Sequence, residues 1–295
     1  MGNRDRANNM PLEKTFTPPQ FDVPDNACDC HAHICGPSSV YPYVQDRIYT
    51  PPDALLSDYN AMLNALNVRR AVLVQPSIYG TDNRAMLDAI QHASFPCRGV
   101  AVVDELVGDQ ELQMMHDIGI RGVRYNMVDV NAHTDTLPIG AMTKFAERIK
   151  QFGWHIELQI RIDEFPDFDQ IFNNFPIDLV VGHMGYMNLG KTPQEPGFQA
   201  MVRLAETGRC WVKLSGPYRI SATDMPYDDI ISTAQTLARA VPDQLIWGSD
   251  WPHTNIAGPI PDDSCLFDFV ATWVTDASTR SKILVDNPTR LYWAN

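Results

Sequence analysis

The chain has 295 residues, 44% hydrophobic and 20% charged, which excludes a peptide or a disulfide-stapled mini-domain. It fits either two modest domains or one α/β barrel of about 250 residues or more. Its 23 Lys+Arg against 36 Asp+Glu give a net charge of −13, a field that repels nucleic acid and anionic membranes, so neither is expected as a partner. A small anionic substrate stays compatible, because a few arginines inside a pocket reverse the local sign.

From the N-terminus, residues 1–25 are polar and Pro-rich and read as a loose arm. They lack the apolar stretch of a secretory signal. Residues 26–295 read as one domain, a rhythm of short apolar strand, loop and amphipathic helix. Strands are predicted at Ala27–His33, Arg70–Gln75, Gly99–Val103, Gly122–Tyr125, His155–Ile160, Asp178–Gly182, Cys210–Leu214 and Leu245–Gly248. Helices are predicted at Pro52–Leu66, Asn83–Ala93, Asp109–Gly119, Met142–Phe152, Asp167–Asn174, Phe198–Thr207, Asp228–Val241 and Thr279–Trp293. Eight strands alternating with helices predict a parallel sheet closed into a single (β/α)8 TIM-type barrel, with its site at the C-terminal strand ends. No run of about 18 apolar residues is present, so no transmembrane helix is expected. The six cysteines form no paired C-x-x-C set, which points to reduced thiols in a cytoplasmic protein.

The first strand ends Cys28-Asp29-Cys30-His31-Ala32-His33. Regular alternation puts Asp29, His31 and His33 on one side and turns Cys28 and Cys30 to the outer helices. Two imidazoles at a strand mouth can chelate one divalent ion such as Zn²⁺, although an arbitrary H-x-H is more often two solvated or core histidines. Two further segments change the balance. Asp178–Gly182 runs into His183, and Leu245–Gly248 runs into Ser249-Asp250. Both place an ionisable group where an apolar strand stops, the catalytic rim of such a barrel. In the fifth strand, alternation is read as setting His155, Glu157 and the neighbours of Gln159 on differing faces, with no convincing further ligand among them, and no bridging lysine stands out.

These segments, with VQPSIYGTDN, RGVAVVD, GIRGVRYN, GHMG, WGSDWPHTN and LVDNPTRLYW, resemble the amidohydrolase superfamily, and within it the lactonase branch. The resemblance runs from Asn26 to Trp293. It implies a catalytic core of His31, His33, His183 and Asp250, which would also be the ligands of one Zn²⁺ if metal is bound. Metal-free catalysis, with the imidazoles as hydrogen-bond donors, is the alternative. It implies hydrolysis of a small anionic lactone in aromatic-compound degradation, with Asp250 as base. Arg124 and Arg219 gain a substrate-binding role from rim position and the resemblance together, against the commoner surface salt bridge. Tyr49, Ser77 and Tyr186 join the pocket by resemblance, whereas His253 and Asn255 either contact substrate or brace the loop around Trp251. Members that open 2-pyrone-4,6-dicarboxylate carry basic residues where this chain has Asp129-Val130 and Tyr186, and a tyrosine where it has Gln159. The departure favours 4-sulfomuconolactone as substrate. Lactone isomerisation and non-oxidative decarboxylation are competing chemistries, and a non-catalytic binding barrel is the reading from another class. His92, His116 and His133 read as surface residues.

Overall fold

Eight short, buried segments pair in the order in which they occur along the chain. They are β1 (Cys28–Ala32), β2 (Arg70–Val74), β3 (Cys97–Ala101), β4 (Ile120–Asn126), β5 (His155–Gln159), β6 (Leu179–Val181), β7 (Cys210–Leu214) and β8 (Leu245–Trp247). Every neighbouring pair is parallel. The circle closes just beyond β8, where Ala32 bridges Trp251 and the Asp250 amide donates to the His31 carbonyl. The architecture is thus the expected (β/α)8 barrel. The computed structural model describes residues 16–129, 136–256 and 258–294, so His133 lies outside the described residues.

Parallel strands need long crossovers, and helices supply them. These are α1 (Leu56–Ala65), α2 (Arg84–His92), α3 (Asp109–Ile118), α4 (Ile139–Ile149), α5 (Phe168–Ile171), α6 (Pro196–Glu206) and α7 (Ile231–Ala240); α8 (Asp263–Trp273) and α9 (Ala277–Ser281) follow β8. Each crossover buries an apolar stripe on the outer face of the sheet, as Met142, Phe145, Ala146 and Ile149 of α4 do. Helix α8 was not anticipated. Its start is marked by Asp262, whose carboxylate caps the Ser264 and Cys265 amides, a contribution of about 1 kcal/mol. The predicted tail helix is real but winds widely, with π-helical turns at Lys282–Asp286 and Thr289–Trp293. Residues 16–25 form neither helix nor strand. They are nonetheless seated on the core through Phe16, Phe21 and Val23, with Phe21 against Phe267 at 5.0 Å.

The barrel interior is a separate apolar stack. Cys28, Cys30, Val72, Val74, Val100, Val180, Trp211 and Ile246 meet there, and Leu291 and Tyr292 plug the end where the strands begin. Arg70 ties that plug in place through Thr289 and the Val285 carbonyl. This placement corrects the expectation for Cys28 and Cys30, which point inward, not toward the helices. The cause is a register shift in β1 between Asp29 and Ala32. One extra residue there breaks the alternation, so Cys30 faces the stack and His31 and His33 still reach the mouth. Asp29 turns away from them. It accepts from the Ser249 hydroxyl and amide, from the His31 amide and from Tyr59 on α1. Burial pushes its carboxyl up to about 6 against those donors. Asp29 therefore fastens β1 to the rim loop that carries Asp250.

Among the described residues no helix is long and apolar enough to cross a membrane. No disulfide is present among the cysteines, of which only Cys265 is exposed.

Candidate active site

At the mouth, three strand ends deliver four polar side chains to one place. β1 brings His31 and His33, whose ring centroids lie 4.9 Å apart. His183, one residue past Gly182 at the end of β6, lies 4.8 Å from His31. Asp250 follows β8, with Oδ1 3.7 Å from His31 Nε2 and 3.6 Å from His33 Nε2. All four are buried. His183 and Asp250 both adopt left-handed backbone angles, φ 49° and 63°, a strain that clusters at functional sites. Two glycines make the approach possible. A Cβ on Gly248 would sit 2.5 Å from the His31 Cβ, and one on Gly216 would sit 2.9 Å from His183 Nδ1.

The hydrogen bonds assign a use to each outer ring nitrogen. His33 Nδ1 donates to the Val74 carbonyl at 2.7 Å, leaving Nε2 to face Asp250. His183 Nδ1 meets the Ser215 hydroxyl at 3.0 Å. Asp250 Oδ2 accepts from Arg219 Nε at 2.5 Å and from Tyr218 at 2.6 Å. Burial alone would raise the Asp250 carboxyl, but Arg219, with His183, His33 and His31, holds it well below the usual carboxylate range. Burial, then Lys213 and the neighbouring imidazoles, pushes His31 well below the usual histidine range. Burial and Arg219 do the same to His183 against the pull of Asp250. The centre is an ionised acid facing the neutral imidazoles of His31 and His183.

Below it lies a charged layer that sequence reasoning missed. Lys213 of β7, fully buried, donates to Glu157 Oε2 at 2.6 Å and to the Cys30 carbonyl at 2.7 Å, and lies 3.1 Å from His31 Nδ1. Glu157 Oε1 has no hydrogen-bond partner and sits 3.4 Å from His31 Nδ1 and 3.8 Å from Arg124 Nε. The fifth strand also needs correction: His155, Glu157 and Gln159 share the interior face, at three heights. His155 packs on Tyr292 at 5.3 Å, Glu157 pairs with Lys213, and Gln159 reaches the cavity. The available signal was a Lys and a Glu within apolar strands of a parallel sheet, where both faces are buried.

The cavity at this mouth is lined by His33, Tyr49, Ser77, Arg124, His183, Arg219 and Asp250 from the predicted set. His31 lies beneath it. Asn126, Asp129, Gln159 and Thr254 also line it. Tyr186 is buried with its ring 5.6 Å from His183. His253 does not line the cavity. Its Nδ1 meets Tyr218 at 2.9 Å and its Nε2 donates to Asp263 at 2.7 Å, so it braces the residue that holds Asp250. Asn255 is exposed and donates to Asp129 at 3.2 Å.

The ligand atoms of His31, His33 and Asp250 lie within 4.8 Å of one another. His31 Nε2 and Asp250 Oδ1 are buried without hydrogen-bond partners. Two imidazoles and a carboxylate suit Zn²⁺, and Glu157 stands ready to receive the Nδ1 proton of a metal-bound His31. The residues fit a metal ion. His183 is not part of this three-residue group.

Residues 28–293 match the amidohydrolase family. The chain is 37% identical to 2-pyrone-4,6-dicarboxylate hydrolase of Comamonas testosteroni, over 93% of this chain and 92% of that protein. It is 34% identical to 4-sulfomuconolactone hydrolase of Rhizobium radiobacter, with the same coverage. Among solved structures it is similar to a probable 2-pyrone-4,6-dicarboxylic acid hydrolase from Acinetobacter baumannii with citric acid bound. The TM-score there is 0.78 at 31% identity, covering 90% of this chain and 99% of that one.

Proposed function

The chain belongs to the amidohydrolase family and is a hydrolase acting on a cyclic ester, and from that premise we propose that it opens a small anionic lactone with Asp250 as the base. The carrying observation is the free Asp250 Oδ1, buried and aimed between His31 and His33 while Oδ2 is held by Arg219 and Tyr218. One carboxylate oxygen is anchored and the other is free to take a proton from water.

A lactone carbonyl beside His183 and His33 would receive the attack, and the buried imidazoles would stabilise the oxyanion as it forms. Arg124 would hold an anionic substituent of the substrate. Its Nη1 donates to the Gln75 carbonyl at 3.2 Å and its Nε sits 3.8 Å from Glu157 Oε1, while the side chain lines the cavity, where a guanidinium suits a carboxylate. Tyr49 and Ser77 would add hydroxyl contacts from the opposite wall. Zinc held by His31, His33 and Asp250 would polarise the carbonyl and make water more acidic. The buried free thiols support a cytoplasmic setting as part of the same reading.

Two relatives supply the first substrates to assay, 4-sulfomuconolactone and 2-pyrone-4,6-dicarboxylate. Run in H₂¹⁸O, the reaction is expected to place one ¹⁸O in the ring-opened carboxylate. Product without the label would replace hydrolysis by isomerisation, in which a substrate hydroxyl attacks. Released CO₂ would replace it by decarboxylation.

The metal has its own test. Protein purified in zinc-supplemented medium is expected to carry one zinc per chain by elemental analysis, and His33→Ala to carry none. A wild-type protein free of zinc would assign carbonyl polarisation to the imidazoles alone.

A further inference from the structure

The cavity holds a second acid that the chemistry above does not use. Among the described lining residues the charged groups are Arg124, Arg219, Asp129 and Asp250, two of each sign. Arg219 is engaged: its Nε is on Asp250 and its Nη2 donates to the Thr254 carbonyl at 3.0 Å. Arg124 lines the cavity with a looser set of partners, the Gln75 carbonyl at 3.2 Å and Glu157 Oε1 at 3.8 Å. Asp129 is held by neutral amides. Gln159 Nε2 donates to Oδ2 at 2.6 Å, and Asn255 Nδ2 donates to Oδ1 at 3.2 Å. No Lys or Arg pairs with it within 4 Å among the described residues. The sequence that follows, Val130 to Asp135, contains neither lysine nor arginine.

Arg124 and the Asp129 carboxylate, which has no Lys or Arg partner among the described residues, therefore line the same cavity. One anionic substituent pairs with Arg124. A second that reaches Asp129 meets a carboxylate, and like charges repel. A hydroxyl in that place donates to Asp129 instead.

We propose that Asp129 is a specificity-determining residue that selects a lactone with a single anionic group, seated on Arg124, and a hydroxyl turned toward Asp129. The proposal rests on the lactonase reading and narrows its substrate class to hydroxylated lactone monocarboxylates. 2-Pyrone-4,6-dicarboxylate brings two carboxylates, and 4-sulfomuconolactone a carboxylate and a sulfonate, so each presents a second anion to Asp129.

The test uses ring compounds that cannot be hydrolysed, which separates charge selection from catalysis. Calorimetric titration with 3-hydroxybenzoate (one carboxylate, one hydroxyl) and with benzene-1,3-dicarboxylate compares the two substituents on the same ring. The wild-type chain is expected to bind the hydroxy acid roughly 10-fold more tightly or better. Asp129→Asn is expected to close or reverse that gap while circular dichroism stays unchanged. Equal or tighter wild-type binding of the dicarboxylate would overturn the proposal. So would an unchanged gap in the variant, or binding of neither compound by the wild type at about 10 mM. If the preference is present but no lactone of any kind is opened, the lactonase reading fails and the charge selection stands.

Discussion

Asp250→Asn is expected to lower kcat by about 10³-fold or more on whichever lactone the wild-type enzyme opens. The amide occupies the same volume and still accepts from Tyr218 and Arg219, but it cannot take a proton from water. Arg219, buried beside it, loses its counter-charge, which costs a few kcal/mol and about 5–10 °C of melting temperature without unfolding the chain. Circular dichroism and steady-state kinetics on the same preparation check both parts. Near-wild-type turnover in the variant would remove Asp250 from the role of base. The pH profile gives a second reading. A base must be ionised to act, and Asp250 is held well below the usual carboxylate range, so its activity is lost only as pH falls through that depressed value. kcat/KM is expected to stay level from pH 8 down to about 5.

Lys213→Met is expected to destabilise the barrel by about 3–5 kcal/mol, because it strands the Glu157 carboxylate in the interior. Glu157 is already buried with one oxygen unpartnered, and Lys213 is its only cation within 3 Å among the described residues. The double variant Lys213→Met/Glu157→Leu removes both charges and is expected to recover most of that loss, since a buried pair exchanged for apolar groups is often near neutral. Urea denaturation of the two single variants and the double one closes the cycle. Wild-type stability in Lys213→Met would show that the pair contributes nothing to folding. Turnover is not expected to recover with stability in the double variant. His31 has lost the ammonium 3.1 Å from Nδ1 and the carboxylate beside it, so its ring is no longer oriented.

The two layers of this site differ in how visible they are in the chain. His31, His33, His183 and Asp250 stand where apolar runs stop, and strand ends in a parallel barrel gather at one mouth whatever the details of packing. Arg124 is legible for the same reason. Lys213 and Glu157 sit inside Cys210–Leu214 and His155–Gln159. There a charged residue reads as an outward polar position unless the sheet is known to be covered on both faces. Tyr218 carries no periodic signal at all, since it is placed by the turn after β7 that also delivers Arg219.

The amino-acid order by itself determined the eight strands, the helices that connect them and the residues at the strand ends, because short-range periodicity and the points where it breaks are properties of neighbouring residues. The tertiary structure alone decided which way β1 faces along its length, since the extra residue between Asp29 and Ala32 is defined only by pairing with β2. It also decided that Lys213, Glu157 and His31 touch, that His253 braces Tyr218 instead of lining the cavity, and that Asp129 faces that cavity with no Lys or Arg partner among the described residues. Those contacts join residues tens to hundreds of positions apart, and only closure of the barrel brings them within hydrogen-bond range.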